Sequence, residues 1–174
     1  MTCFYLVRHG EADYSQPSKW KTLGWGADLA TLSPKGILQI EEAAVSLKEK
    51  TASKIVSSPV TRALQSATII QRELDLPVSV EFDIHEWVPD RTFSWCTHEE
   101  VSVLIRELQE FGGEWPKNSE RVWEQLSAVK ARSTTVLNKY LDCDKVIVVC
   151  HEIVIWSLTG RQFTNLGEVV ELTL

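Results

Sequence analysis

Two histidines and two arginines stand where they could share one piece of chemistry. Arg8 and His9 directly follow a short apolar run, Phe4–Val7, and His151 directly follows the unbroken apolar run Lys145–Cys150. Arg62 falls in the first turn of a helix-forming stretch that follows the short run Ile55-Val56. Arginine brings a permanent charge and paired N–H donors that match phosphate oxygens, and neutral imidazole is nucleophilic near pH 7. Together the four residues would make the compact cationic pocket that a phosphoryl group needs. Singly, each is ordinary: an Arg-His pair after a strand is usually structural, Arg62 alone reads as a solvated helix residue, and His151 alone as a hydrogen-bonded core histidine. The conjunction carries the weight, because chance would scatter these residues over both ends of a sheet.

The elements that must position them follow from periodicity and punctuation. Strands are expected at Phe4–Val7, Ile55-Val56, Val78–Phe82, Lys145–Cys150 and Val169–Leu174, the fourth apolar enough to be covered on both faces. Ser33-Pro34 reads as an N-cap with proline in the first helical position, opening a helix whose inner face is Ile37, Ile40, Ala44 and Leu47. Ser58-Pro59 repeats that signature ahead of Ala63, Ala67, Ile70 and Leu74. Thr97 with Glu100 makes a capping-box pattern for a helix to about Phe111, stopped by Gly112-Gly113. A longer helix is expected over Ser119–Leu141, and another from Ile153 to Leu158 that stops at Gly160. Between Glu11 and Thr31 no period emerges, and Pro17, Gly24 and Gly26 mark a loop. Strands alternating with helices mean an α/β layered domain, with residues 1–174 as one unit, and ligands of such a sheet bind beyond the carboxyl ends of its strands.

Composition excludes more than it assigns. The chain of 174 residues is 44% apolar and 24% charged, ordinary for a globular protein. A net charge of −6 argues against a nucleic-acid or membrane-surface binder, which would need clustered Lys and Arg. No apolar run is long enough to span a bilayer, and Met1–Arg8 is a poor signal peptide. Cys3, Cys96, Cys143 and Cys150 lack metal-ligand spacing and read as reduced thiols in a cytoplasmic protein. His151-Glu152 lacks a second histidine at Ile155, so a zinc site is not expected either.

Four blocks in order carry a more specific signal: Leu6-Val7-Arg8-His9-Gly10-Glu11; Leu32-Ser33-Pro34-Lys35-Gly36 with Gln39; Ser57-Ser58-Pro59-Val60-Thr61-Arg62-Ala63 with Ala67; and Val148-Val149-Cys150-His151. Over nearly its whole length the chain resembles the histidine phosphatase superfamily, also called phosphoglycerate mutase-like. The resemblance implies a three-layer sandwich with a mostly parallel central sheet and helices on both faces. It further implies that His9 attacks phosphorus and carries the phosphoryl group, that Arg8, Arg62 and His151 hold the phosphoryl oxygens, and that no metal or organic cofactor takes part. The expected activity is hydrolysis of a phosphomonoester, on a small phosphorylated substrate or a phosphoprotein. Mutases of the family carry extra sequence between the acid segment and the second histidine, and this chain does not. A non-catalytic phosphate-binding or protein-interaction module of the same fold is the reading from another class, against which the intact set of four residues speaks.

A leaving alkoxide needs a proton, so a carboxylic acid is expected across the pocket from His9. Asp83-Ile84-His85-Glu86-Trp87 matches the segment that supplies it in the mutase-like branch, which makes Glu86 the first choice and His85 a neighbour that could tune it. Glu152, where that branch usually has glycine, is the rival donor, since the acid phosphatase branch draws its acid from about this place. An ionised Glu152 aimed into the pocket would oppose the phosphate by about 4 kcal/mol at 4 Å and an effective dielectric of 20. It must therefore point away, be protonated, or accept from the surrounding Arg and His groups, and the start of a helix suits a carboxylate for structural reasons alone. Glu11, Asp13, Tyr14 and Ser15 follow the nucleophile as candidate orienting or substrate-facing residues. Seven tryptophans are many for this length, and Trp20, Trp25, Trp87 and Trp95 fall in the segments expected to roof the site. Loop tryptophans mostly pack down as plugs. The functional reading is an aromatic wall for a ring beside the phosphate, with Lys19, Lys21 or Arg91 on further anionic groups. His98 is expected at the surface of its helix.

Overall fold

A five-stranded sheet in the order β5-β4-β6-β1-β7 is the frame of the computed structural model, which describes residues 1–21, 24–94 and 97–174. Trp95 and Cys96 lie outside the described residues. The first half of the chain forms β1 (Cys3–Arg8), β2 (Ala12–Asp13), α1 (Ser15–Trp20), β3 (Thr31–Leu32), α2 (Pro34–Leu47), β4 (Lys54–Ser57) and α3 (Thr61–Leu74). The second half forms β5 (Val78–Val80), α4 (His98–Glu110), α5 (Leu126–Asn138), β6 (Lys145–Cys150), α6 (Glu152–Thr159) and β7 (Val169–Thr173). β1, β4, β5 and β6 run parallel, and β7 pairs antiparallel with β1 at the edge.

Alternation along the strands builds a core on each face. Phe4, Leu6, Val56, Val146 and Val148 point to one face, where Leu108 of α4, Val129 and Val136 of α5 and Ile155 of α6 cover them. Tyr5, Val7, Ile55, Ile147 and Val149 point to the other, against Ile40, Ala44 and Leu47 of α2 and Ala63, Ala67 and Ile70 of α3. β6 is fully buried from Val146 to Cys150, as a central strand covered on both faces should be. The architecture is the three-layer α/β sandwich expected from the sequence.

Several boundaries differ from the sequence reading. The expected helix over 119–141 starts at Leu126, with Gln125 as its N-cap. Upstream, backbone bonds run to another segment instead: Arg91 N–H donates to the Val122 carbonyl and Glu124 N–H to that of Val88, each at 2.9 Å. That crossing drives Trp123 into the core and leaves Val122 exposed. Ile37 also faces outward. The strand expected over Val78–Phe82 ends at Val80, and Phe82–Ile84 is a 3-10 turn. α1, a 3-10 helix at Gly24–Leu29 and the β2–β3 ladder occupy the stretch read as loop. Ser33 caps α2 as expected, accepting from Gly36 N–H, and Thr97 with Glu100 closes the capping box of α4. Ser58 does not cap α3: Val60 is the N-cap, and the Ser58 hydroxyl is drawn into the site described next.

Candidate active site

Strand register converts distant sequence positions into neighbours. β4, β6 and β1 are adjacent and parallel, with Arg8 opposite Cys150 and Val149 opposite Ser57. The residues that leave their carboxyl ends, His9, His151 and Ser58, therefore meet beyond the sheet. The rings of His9 and His151 are 5.2 Å apart, edge to face. Gly10 lets the chain leave β1 without obstruction, and its role is spatial: a Cβ there would strike the Gly36 carbonyl at the start of α2.

The tautomer of His9 can be read from its neighbours. Nδ1 lies 2.7 Å from the Gly10 carbonyl, which can only accept, so Nδ1 carries the proton. Nε2 keeps its lone pair, and Arg62 Nε–H donates to it at 3.1 Å. His9 is only 6% exposed. Burial and the Arg62 guanidinium hold its pKa well below the usual histidine range, so the ring is neutral at physiological pH.

Both arginines are paired with carboxylates. Arg62 Nη1 meets Asp28 Oδ1 at 2.9 Å, with the Arg62 side chain 5% exposed. Arg8 Nη2 meets Glu152 Oε2 at 2.9 Å, and Arg8 Nη1 donates to the Thr164 carbonyl. Glu152 thus lies on the flank of Arg8 and also accepts from Thr164 N–H at 3.4 Å. Among the described residues the buried Arg8 Nε has no hydrogen-bond partner, and neither has His151 Nδ1.

His151 Nε2 is 2.7 Å from Ser58 Oγ, and its Nδ1 is 3.9 Å from Glu86 Oε2. Burial, with Arg62 and His9 nearby, lowers the His151 pKa far below 6.5. Burial pushes the Glu86 carboxyl up to about 7, overcoming the pull of the Trp87 N–H bond and of Arg62 and Arg8. Glu86 Oε1 accepts from Trp87 N–H at 2.8 Å. Arg132 of α5 clamps the segment from beneath: Nη1 donates to the Asp83 and His85 carbonyls at 2.7 and 2.8 Å, and Glu124 Oε1 accepts from its Nε at 2.8 Å. Arg132→Met is expected to free this segment. It should destabilise the protein by roughly 3–5 kcal/mol, because the Glu124 carboxylate, 14% exposed, loses its charge partner. Urea denaturation checks the stability loss.

The remaining candidates separate clearly. Glu11 faces Ser33 Oγ (2.8 Å) and Lys35 Nζ (3.1 Å), so it ties the loop to α2. Asp13 accepts from Ser15 N–H. The Tyr14 phenol is half-buried in the field of Arg62, Asp28, Glu86 and Arg8. His85 is buried, with Nδ1 on the Glu86 carbonyl at 2.6 Å. Trp87 is a plug, its indole donating to the Glu124 carbonyl, whereas Trp20 is exposed. Trp25 stands edge-on to His85 and stacks on Phe93. Arg91 is spent on the Val122 and Arg121 carbonyls and on the Trp115 ring, and Lys19 and Lys21 are exposed. His98 opens α4.

Asp28, Ser58, Thr164 and Arg132 are members of the constellation that the sequence reading did not single out for it. Among the described residues no three His, Cys, Asp or Glu side chains converge as a metal ion would require, and no helix is long and apolar enough to cross a membrane.

Known proteins share the family and the fold of this chain. The model of the histidine phosphatase superfamily (branch 1) matches residues 4–167. The uncharacterized phosphatase PhoE of Bacillus subtilis (strain 168) is 37% identical over 83 residues, 48% of this chain and 40% of PhoE, so the match spans less than half of that protein. Bacillus stearothermophilus YhfR has the same fold with a TM-score of 0.75 at 19% identity, over 100% of this chain and 92% of that one. A mycobacterial glucosyl-3-phosphoglycerate phosphatase, solved in complex with VO3, gives a TM-score of 0.70 at 22% identity, over 92% of this chain and 79% of that one. Because the family match runs through every strand-end residue of the site, the chain belongs to the histidine phosphatase superfamily.

Proposed function

We propose that the protein is a phosphomonoester hydrolase that works through a phosphohistidine on His9. The locked tautomer of His9 carries this reading: the Gly10 carbonyl holds the proton on Nδ1, and the Nε2 lone pair faces the Arg62 guanidinium. A phosphoryl group entering between them takes Arg62 Nε–H from the imidazole onto its own oxygen. Arg8 and His151 supply the remaining donors, and both have a buried N–H position without a partner among the described residues. The Ser58 hydroxyl accepts from Val60 N–H at 3.3 Å and can donate its own proton to His151 Nε2. That arrangement puts the ring proton on Nδ1, the nitrogen on the Glu86 side.

The chemistry balances in two steps. The Nε2 lone pair attacks phosphorus while the P–O ester bond breaks, and protonated Glu86 delivers its proton to the departing oxygen. Water then attacks the phosphohistidine, ionised Glu86 takes its proton, and the P–N bond breaks to release inorganic phosphate and neutral His9. A carboxyl titrating near 7 suits both roles. Glu152 is assigned to hold Arg8 in place, because its carboxylate is already occupied by that guanidinium.

Rapid quenching of the protein with 4-nitrophenyl phosphate in denaturant tests the reading. Acid-labile, base-stable phosphate should appear on the peptide containing His9, in step with a burst of nitrophenol. Absence of both turnover and phosphoprotein would overturn the enzyme reading and leave a phosphate-binding module.

A further inference from the structure

Resting on the phosphatase reading above, we propose that Asp28 is a specificity-determining residue. It bars substrates with a second anionic group near the ester oxygen, so that the substrate class is a phosphomonoester of an uncharged, ring-bearing alcohol. Asp28 lies on the 3-10 helix Gly24–Leu29, in which residues three apart eclipse. Trp25 and Asp28 therefore share one face. That face turns into the pocket, because Asp28 reaches the buried Arg62 at 2.9 Å. The Trp25 ring stands 5.0 Å from His85, at 86°, and 5.6 Å from Phe93, at 29°. His85 directly precedes Glu86, so this wall stands on the side where the leaving group receives its proton.

The charges around that end are one-sided. Arg62 is matched by Asp28 and Arg8 by Glu152. A bound phosphoryl group draws on both guanidiniums, which leaves the Asp28 and Glu152 carboxylates less compensated beside it. A carboxylate or second phosphate on the leaving group would meet those acids, and neither Arg132 nor Arg91 is in reserve to offset them. Arg132 is committed to Glu124 and backbone carbonyls, and Arg91 to carbonyls and the Trp115 ring. An apolar ring instead finds Trp25 and Phe93 and leaves the acids undisturbed.

The test compares 2-phenylethyl phosphate with 3-phosphoglycerate, both esters of primary alcohols. The wild-type kcat/KM should favour the first, and Asp28→Asn should narrow the ratio by roughly tenfold or more, the scale of removing one like charge near the substrate. Asp28→Glu keeps the charge and should keep most of the ratio. An unchanged ratio in Asp28→Asn, an equal loss in Asp28→Glu, or a wild-type preference for 3-phosphoglycerate would overturn the proposal. A wild-type enzyme that traps phosphate on His9 yet shows one of those results sinks the specificity argument alone. One that traps none sinks the phosphatase reading beneath it.

Discussion

Replacing His9 with asparagine is expected to lower kcat by roughly four to six orders of magnitude, as loss of a covalent nucleophile does. Inorganic phosphate should still bind within about tenfold of wild type, a loss of at most about 1.4 kcal/mol, since Arg8, Arg62 and His151 remain. The size of the kinetic loss follows from the ring's geometry. Among the described residues the nearby hydroxyls are engaged elsewhere: Ser58 Oγ is taken by His151 and Val60, and Ser66 Oγ donates to the Arg62 carbonyl. Single-turnover kinetics with 4-nitrophenyl phosphate, alongside phosphate binding by calorimetry, separate the two effects. A residual rate within a hundredfold of wild type would exclude His9 as the nucleophile.

The same variant should alter the response to acid. His9 and His151 have folded-state pKa values held below that of a free histidine by burial and by Arg62. Between those lowered values and about 6.5, the unfolded chain therefore binds more protons than the folded one, and stability falls as pH drops through that window. His9→Asn removes one of the two groups, so the loss of Tm between pH 7 and pH 5 should shrink.

How much of this was legible in the sequence depends on what kind of contact is asked about. His9 and His151 were legible because each follows an apolar run, and a parallel ladder turns that shared local position into proximity. Ser58 has one signature for two uses: a serine before proline can cap a helix or present its hydroxyl elsewhere, and only the packing of β4 beside β6 decides. Asp28 lies where no period shows, because a short 3-10 helix among glycines repeats too briefly to register. Arg132 reaches the Asp83 and His85 carbonyls across 49 and 47 residues, a contact that no spacing rule addresses. The choice between Glu86 and Glu152 rested on the same difficulty. Both follow plausible elements, and their difference lies in partners: one carboxyl stands 3.9 Å from an imidazole nitrogen that has no hydrogen-bond partner among the described residues, and the other is bound to a guanidinium.

Glu86→Gln should lower the rate on 2-phenylethyl phosphate by roughly two to four orders of magnitude, the usual worth of a general acid. The rate on 4-nitrophenyl phosphate should fall by about tenfold at most, because nitrophenolate leaves without help. In wild type, the alkyl-to-aryl rate ratio should decline as pH rises through about 7, where the carboxyl loses its proton, and in the variant it should be flat. Stability offers an independent reading with the opposite benefit. The folded carboxyl holds its proton up to about 7, against 4.5 unfolded, so the folded state binds more protons between those values and loses stability as pH rises through them. Above pH 7 the cost of ionising this partly buried carboxylate is present, at most on the order of 3 kcal/mol, because each tenfold change in proton affinity is worth about 1.4 kcal/mol. Glutamine can still accept from Trp87 N–H and carries no charge, so Glu86→Gln should be the more stable protein at pH 8 and should lose that advantage near pH 5. If Glu152→Gln instead shows the leaving-group dependence, the proton comes from the Arg8 side. Glu86 would then be a buried acid tolerated for its bond to Trp87.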